Sequence, residues 1–122
     1  MNGLTPLRQL PEPLLRVRDQ LLVMLPNNLD SQDLSWLEHW VSNRLADDRD
    51  LSGVIVDCTA VSYTDIQDLR HLETWLQRLH NQPLRVSLCG IGEGLAALID
   101  AAGLQLPCAQ QARDLNALLA EP

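Results

Sequence analysis

Between Asp57 and Asp68 the chain gathers three aliphatic hydroxyls, Thr59, Ser62 and Thr64, among three carboxylates, Asp57, Asp65 and Asp68. Hydroxyls beside acids at the start of a helix suit two kinds of chemistry, hydrogen-bond capping and phosphate acceptance. Thr64-Asp65-Ile66-Gln67 fits a capping box, in which the Thr64 hydroxyl accepts from the third helical amide and Gln67 reaches back. The free amides and dipole of such a helix start respond strongly to added negative charge, so the same edge suits a protein-docking surface. A receiver-type phospho-accepting aspartate at Asp57 is excluded, because it needs a lysine to hold the acyl phosphate and all nine basic residues are Arg.

Gly90, Gly92 and Gly94 form the second constellation. A dinucleotide fingerprint needs a third glycine three positions after the second, and Leu95 stands there. The better reading is a tight turn before an exposed helix start. A small-ligand or nucleotide-binding α/β domain using the Gly90 to Gly94 turn stays as the alternative function. His71 and His80 are nine residues apart on opposite faces of one predicted helix and His39 lies on another, so no metal set forms. No serine sits in a nucleophile elbow. Cys58, Cys89 and Cys108 lack CxxC spacing and read as reduced structural thiols. Cys58 and Cys89 each end a predicted strand, so a redox role stays open. No catalytic residue, cofactor or metal site is indicated, and a non-enzyme is expected.

The elements that position these residues follow from periodicity. Val54, Ile55 and Val56 form a β-branched run behind Gly53, the pattern of a strand covered on both faces. Leu69, Leu72, Leu76 and Leu79 then recur at three and four, predicting a helix to about Asn81. The hydroxyl-rich loop therefore lies at the carboxyl end of a strand, where α/β proteins keep their sites. Upstream, Leu14 to Arg18 and Leu21 to Leu25 predict a hairpin around Asp19-Gln20, and a helix capped by Asp30 or Ser31 runs to about Ala46. Leu34, Leu37, Val41 and Leu45 form its stripe, flanked by Trp36 and Trp40. These two read as core edge, or, if exposed together, as an interface. Leu84 to Cys89 predicts another buried strand. A short helix with Leu95, Leu98 and Ile99 stops at Gly103, and a last helix from about Arg113 turns Leu115, Leu118 and Leu119 inward. The order β-β-α-β-α-β-α-α implies an α/β domain, a small mixed sheet covered by helices.

Composition sets the outer bounds. The 122 residues fit one domain, taken as 13–122 behind a lead-in at 1–12 with two prolines and no clean period. The core must be aliphatic, since Phe is absent, with the three Trp expected at the edges of helical stripes. Sixteen acids against nine bases leave a formal net charge of −7, which argues against nucleic acid as a partner. No apolar run reaches the ~18 residues of a membrane span, and no secretory signal is evident, so a soluble, cytoplasmic protein is expected.

Three segments then carry a family resemblance: LLVMLPNNLD entering the first helix, GVIVDCTAVSYTDIQDLRHL through the central loop, and LRVSLCGIGEGLAALIDAAGL near the end. Together they resemble the STAS domain family, the anti-sigma factor antagonists, and within it the small scaffold proteins of the bacterial stressosome. The resemblance covers roughly residues 13 to 120. It implies a STAS-like fold and a non-enzymatic signalling module that binds a switch kinase or other STAS-containing subunits and can form homo-oligomers. It places the docking edge at Thr64, Asp65, Ile66, Asp68 and Leu69. In that family a serine or threonine directly follows an aspartate at the start of the second helix and accepts phosphate from a partner kinase. The matching pair here is Asp65 and Ile66, and isoleucine has no acceptor. Thr64 and Ser62 are the candidates for a displaced phosphosite.

Overall fold

The computed structural model describes residues 14–108 and 110–120. The expected lead-in at 1–12 lies outside the described residues. Two strands, β1 (Leu14–Val17) and β2 (Gln20–Met24), form the antiparallel hairpin that opens the sheet. The turn is Arg18-Asp19, one residue earlier than expected, with Arg18 at a φ of 58°. Short hairpin turns need such left-handed residues because their twist then matches that of the strands. Asp19 fixes the hairpin tip to the next strand, its carbonyl accepting from Ser52 N at 2.8 Å. As a result Gln20 becomes the first residue of β2 rather than part of the turn.

The remaining elements are α1 (Ser31–Asp47), β3 (Gly53–Asp57), α2 (Ile66–His80), β4 (Arg85–Cys89), α3 (Glu93–Ala101), β5 (Gln110–Ala112) and α4 (Leu115–Leu119). The five strands lie in chain order, β1-β2-β3-β4-β5, with only the first pair antiparallel. Among the described residues the result is the mixed α/β sheet with four helices that the apolar periodicity implied. β5 was not foreseen. Its sequence is Gln-Gln-Ala, three residues without an apolar run, and its strand character comes from pairing with β4 at Ser87, Leu88 and Cys89.

Alternation along the strands divides the apolar residues between two faces. Leu21, Val23, Val54, Val56, Val86 and Leu88 join Leu34, Leu37 and Val41 of α1 and Leu69, Leu72, Leu76 and Leu79 of α2 in the main core. Leu95, Leu98 and Ile99 of α3 pack at its border, half-buried. Leu22, Ile55 and Cys89 face the other way and meet Leu115, Leu118 and Leu119 of α4. Trp75 is 3% exposed and belongs to the main core, not to the edge of a stripe. The helix period sets this, because a residue three after Leu72 and four before Leu79 shares their face. Trp40 also packs against this core and Trp36 is half-buried, stacked edge-on to His39 with ring centroids 6.4 Å apart. The pair therefore does not form the exposed apolar surface considered for it.

Candidate functional site

β3 ends at Asp57, whose Oδ1 accepts from Thr59 N at 2.9 Å and from Thr59 Oγ1 at 2.5 Å. These bonds turn the chain sharply out of the sheet. The following loop is then stitched to the segment between β2 and α1. Ser62 N and Tyr63 N both donate to the Asn27 carbonyl, at 2.9 and 3.0 Å, and Leu29 N donates to the Tyr63 carbonyl at 2.8 Å. Asn27 Nδ2 adds a bond to the Ala60 carbonyl at 3.1 Å. Asn28 and Tyr63 make a parallel bridge. The loop is thus an ordered extension of the β2–β3 pairing, and the start of α2 is held at a fixed position above it.

The cap of α2 differs from the sequence expectation. Asp65 is the N-cap, at φ −128° and ψ 178°, and its Oδ1 accepts from Asp68 N at 2.9 Å. Carboxylate and hydroxyl compete for this position, and the charged acceptor makes the stronger bond at the positive end of the helix dipole. Thr64 falls one residue outside the helix. Its Oγ1 is buried and has no hydrogen-bond partner. Ile66 is the first helical residue and is 40% exposed, and Tyr63, the single tyrosine of the chain, is 67% exposed. These two exposed side chains stand on either side of Asp65 in the chain. Tyr63 was not among the residues expected at this edge; an aromatic set between the hydroxyls of Ser62 and Thr64 is the signal that could have pointed to it.

Thr64, Asp65, Ile66 and Asp68 thus come together at one helix start. Leu69 does not join them at the surface, because it has no solvent exposure and packs among Leu34, Leu37 and Leu72. Three residues after Ile66 on the helix, it anchors the turn from beneath. Ser62 is exposed, in contrast to the buried Thr64 hydroxyl.

A cleft of about 360 Å³ opens beside this edge, lined by Thr59, Ser62, Thr64, Gly90, Gly92 and Leu95 among others. It joins the hydroxyl loop to the glycine turn. Gly90 has a φ of 76°, and a Cβ there would stand 2.6 Å from Thr59 N and 2.9 Å from Asp57 Oδ1, and closer still to Thr59 Oγ1. That glycine is explained by close approach of the central loop. Gly92 caps α3 without a side-chain bond and meets open space, as does Gly94.

Burial pushes the Cys58 thiol up to about 12, with Cys89 and Asp57 adding to the effect. Burial does the same to Cys89, again to about 12, with Asp57 second. The two thiols belong to opposite faces of the sheet and are free, although Cys58 N donates to the Cys89 carbonyl at 2.8 Å. Cys108 is half-buried and its thiol is also raised by burial. Among the described residues no group of three His, Cys, Asp or Glu side chains converges as a metal site, and no helix is long and apolar enough to cross a membrane.

A mixed sheet in chain order, an antiparallel first hairpin and an aspartate-capped second helix define an α/β domain of one recognisable type. The chain belongs to the STAS domain family, which matches residues 12–109. Among solved structures it is similar to an RsbS variant of Moorella thermoacetica, with 22% identity, a TM-score of 0.68, and coverage of 92% of this chain and 94% of that one. It is also similar to a chain of the stressosome, a signal integration and transduction hub, with 22% identity, a TM-score of 0.71, and coverage of 90% and 100%. The phosphorylated form of the Bacillus cell fate determinant SpoIIAA shares the fold at 15% identity, a TM-score of 0.62, and coverage of 89% and 97%. Comparison with curated proteins gives no match.

Proposed function

We propose that the chain is a non-enzymatic protein-interaction module of the anti-sigma factor antagonist or stressosome-scaffold kind, docking a regulatory kinase or other STAS proteins through the start of α2. The observation that carries this reading is the exposure of Tyr63 and Ile66 on either side of the helix-capping Asp65, at the end of a loop hydrogen-bonded to the segment before α1. Exposed apolar side chains on a rigid frame gain affinity on burial without an ordering cost, the property a docking surface needs. Thr64 and Asp68 complete the edge, and Leu69 supports it from the core. Self-association with like subunits belongs to the same reading.

Ile66 occupies the position after the capping aspartate where the resemblance places the phospho-acceptor. The edge is then fixed in its unphosphorylated state, and docking is independent of kinase activity. Of the two displaced-phosphosite candidates, Ser62 is the accessible one, since the Thr64 hydroxyl is buried. The test is sedimentation and pull-down of the purified chain with STAS proteins and switch kinases of the same cell. Complex formation that Ile66→Asp weakens and Ile66→Ser preserves supports the reading. Absence of any complex, or binding indifferent to Ile66→Asp, overturns it. The alternative, a ligand site on the glycine turn, loses support because Gly90 is accounted for by its contact with Thr59.

A further inference from the structure

The docking edge lies at the carboxyl ends of the parallel strands. At their opposite ends, on the face covered by α4, a pocket of about 390 Å³ opens between Arg18, Asp19 and Gln20 of the hairpin, Arg85 and Ser87 of β4, and Leu118 of α4. That size suits a small organic ligand. Gln20, Gly53 and Arg85 stand abreast on β2, β3 and β4. Gly53 contributes no side chain, and the Gln20 side chain lies over it: a Cβ at Gly53 would come within 2.9 Å of Gln20 Oε1 and 2.7 Å of the Arg85 carbonyl oxygen.

The polar groups here are unevenly matched. Gln20 Oε1 is buried without a hydrogen-bond partner, and Gln20 is one of the residues that line the pocket. Ser87, in the next row, is 2% exposed and is the one buried polar residue among those described. Arg85 is oriented by Gln110, with Nη2 donating to Oε1 at 2.7 Å. Among the described residues neither Arg85 nor Arg18 forms an ion pair with a carboxylate. Asp19 holds its charge on the hairpin side, its Oδ2 accepting from Ser52 Oγ at 2.6 Å. Positive groups, one negative group and an unsatisfied acceptor thus surround an apolar floor of Ile55 and Leu118.

We infer that this pocket binds a free α-amino acid, its carboxylate taken by the guanidinium groups of Arg85 and Arg18 and its ammonium donating to Gln20 Oε1 and Asp19. Planar guanidinium groups match a carboxylate in two-pronged geometry, and the ammonium supplies the donor that Gln20 lacks. The amino-acid side chain rests on Ile55 and Leu118. Such a site would give the module a small-molecule input remote from its docking edge.

The test is an NMR titration of the full chain with each proteinogenic amino acid, with acetate and inorganic phosphate as single-function probes. At least one amino acid is expected to give saturable shifts at the Gly53, Ser87 and Gln110 amides. Arg85→Met, at an exposed side chain that the fold does not need, should weaken that binding about tenfold or more, as should Gln20→Leu. Ile66→Asp should leave it unchanged, so the outcome is separate from that of the docking experiments. Acetate or phosphate binding as tightly as the best amino acid would show that only an anion is read, and the assignment falls. No saturable shift with any probe overturns the site itself.

Discussion

Ser31 Oγ donates to Asp68 Oδ1 across 2.8 Å, joining the first turn of α1 to the first turn of α2. Two helix starts that would otherwise be separate are held as one surface. The charge-assisted bond also keeps the Asp68 carboxylate beside the Asp65 cap. Asp68→Ala should cost about 1 kcal/mol of stability and Asp65→Ala, which removes the cap, about as much. Denaturant midpoints of the two variants check this.

The proposed docking edge makes a sharper prediction. Ile66→Asp and Tyr63→Ala should leave the circular dichroism spectrum unchanged, since both side chains are exposed. Each should weaken partner binding by about tenfold or more if these residues are the anchors of the interface. Ile66→Ser should dock normally. Phosphate on Ser62 in protein from native cells, with partner binding that falls when it is present, would show a switch displaced by a few residues.

Leu69 provides the contrast. It lies three residues after Ile66 but is fully buried, and Leu69→Ala should destabilise the fold by about 2–5 kcal/mol through lost burial and the cavity left behind. Ile66→Ala should be nearly neutral. Thermal unfolding of the two variants side by side reads the facing of α2 directly.

Gly90→Ala should destabilise strongly, by at least about 1–3 kcal/mol for the left-handed backbone alone. Contact with Thr59 adds to that. Gly92→Ala and Gly94→Ala meet open space and should be tolerated far better. Denaturation of the three variants distinguishes the packing glycine from the two at the start of α3.

The buried thiols set an alkaline limit. Cys58 and Cys89 hold their protons to about 12 in the folded chain, against a reference of 9.0 for a free thiol. The unfolded chain releases these protons first, so their contribution to stability is complete below pH 9 and is lost as pH climbs from 9 to 12. Unfolding midpoints should fall across that window, and Cys58→Ala or Cys89→Ala should flatten the fall. At neutral pH both thiols should label slowly until the chain is unfolded.

By itself the sequence determined the elements whose side chains repeat with the backbone. The β-branched run at Val54 to Val56 and the leucines of α1 and α2 announce their own burial, because periods of two and of three to four select one face. The resemblance carried by those segments pointed to the family that matches residues 12–109. Tertiary structure decided what has no such period. β5 is a strand only because β4 offers its backbone. The cap passed from Thr64 to Asp65 because pairing of Tyr63 with Asn27 to Leu29 set where the loop ends and the helix begins. The same folding brought Gln20 of β2 to one pocket with Arg85 and Ser87 of β4, two strands far apart in the chain, through their register on β3.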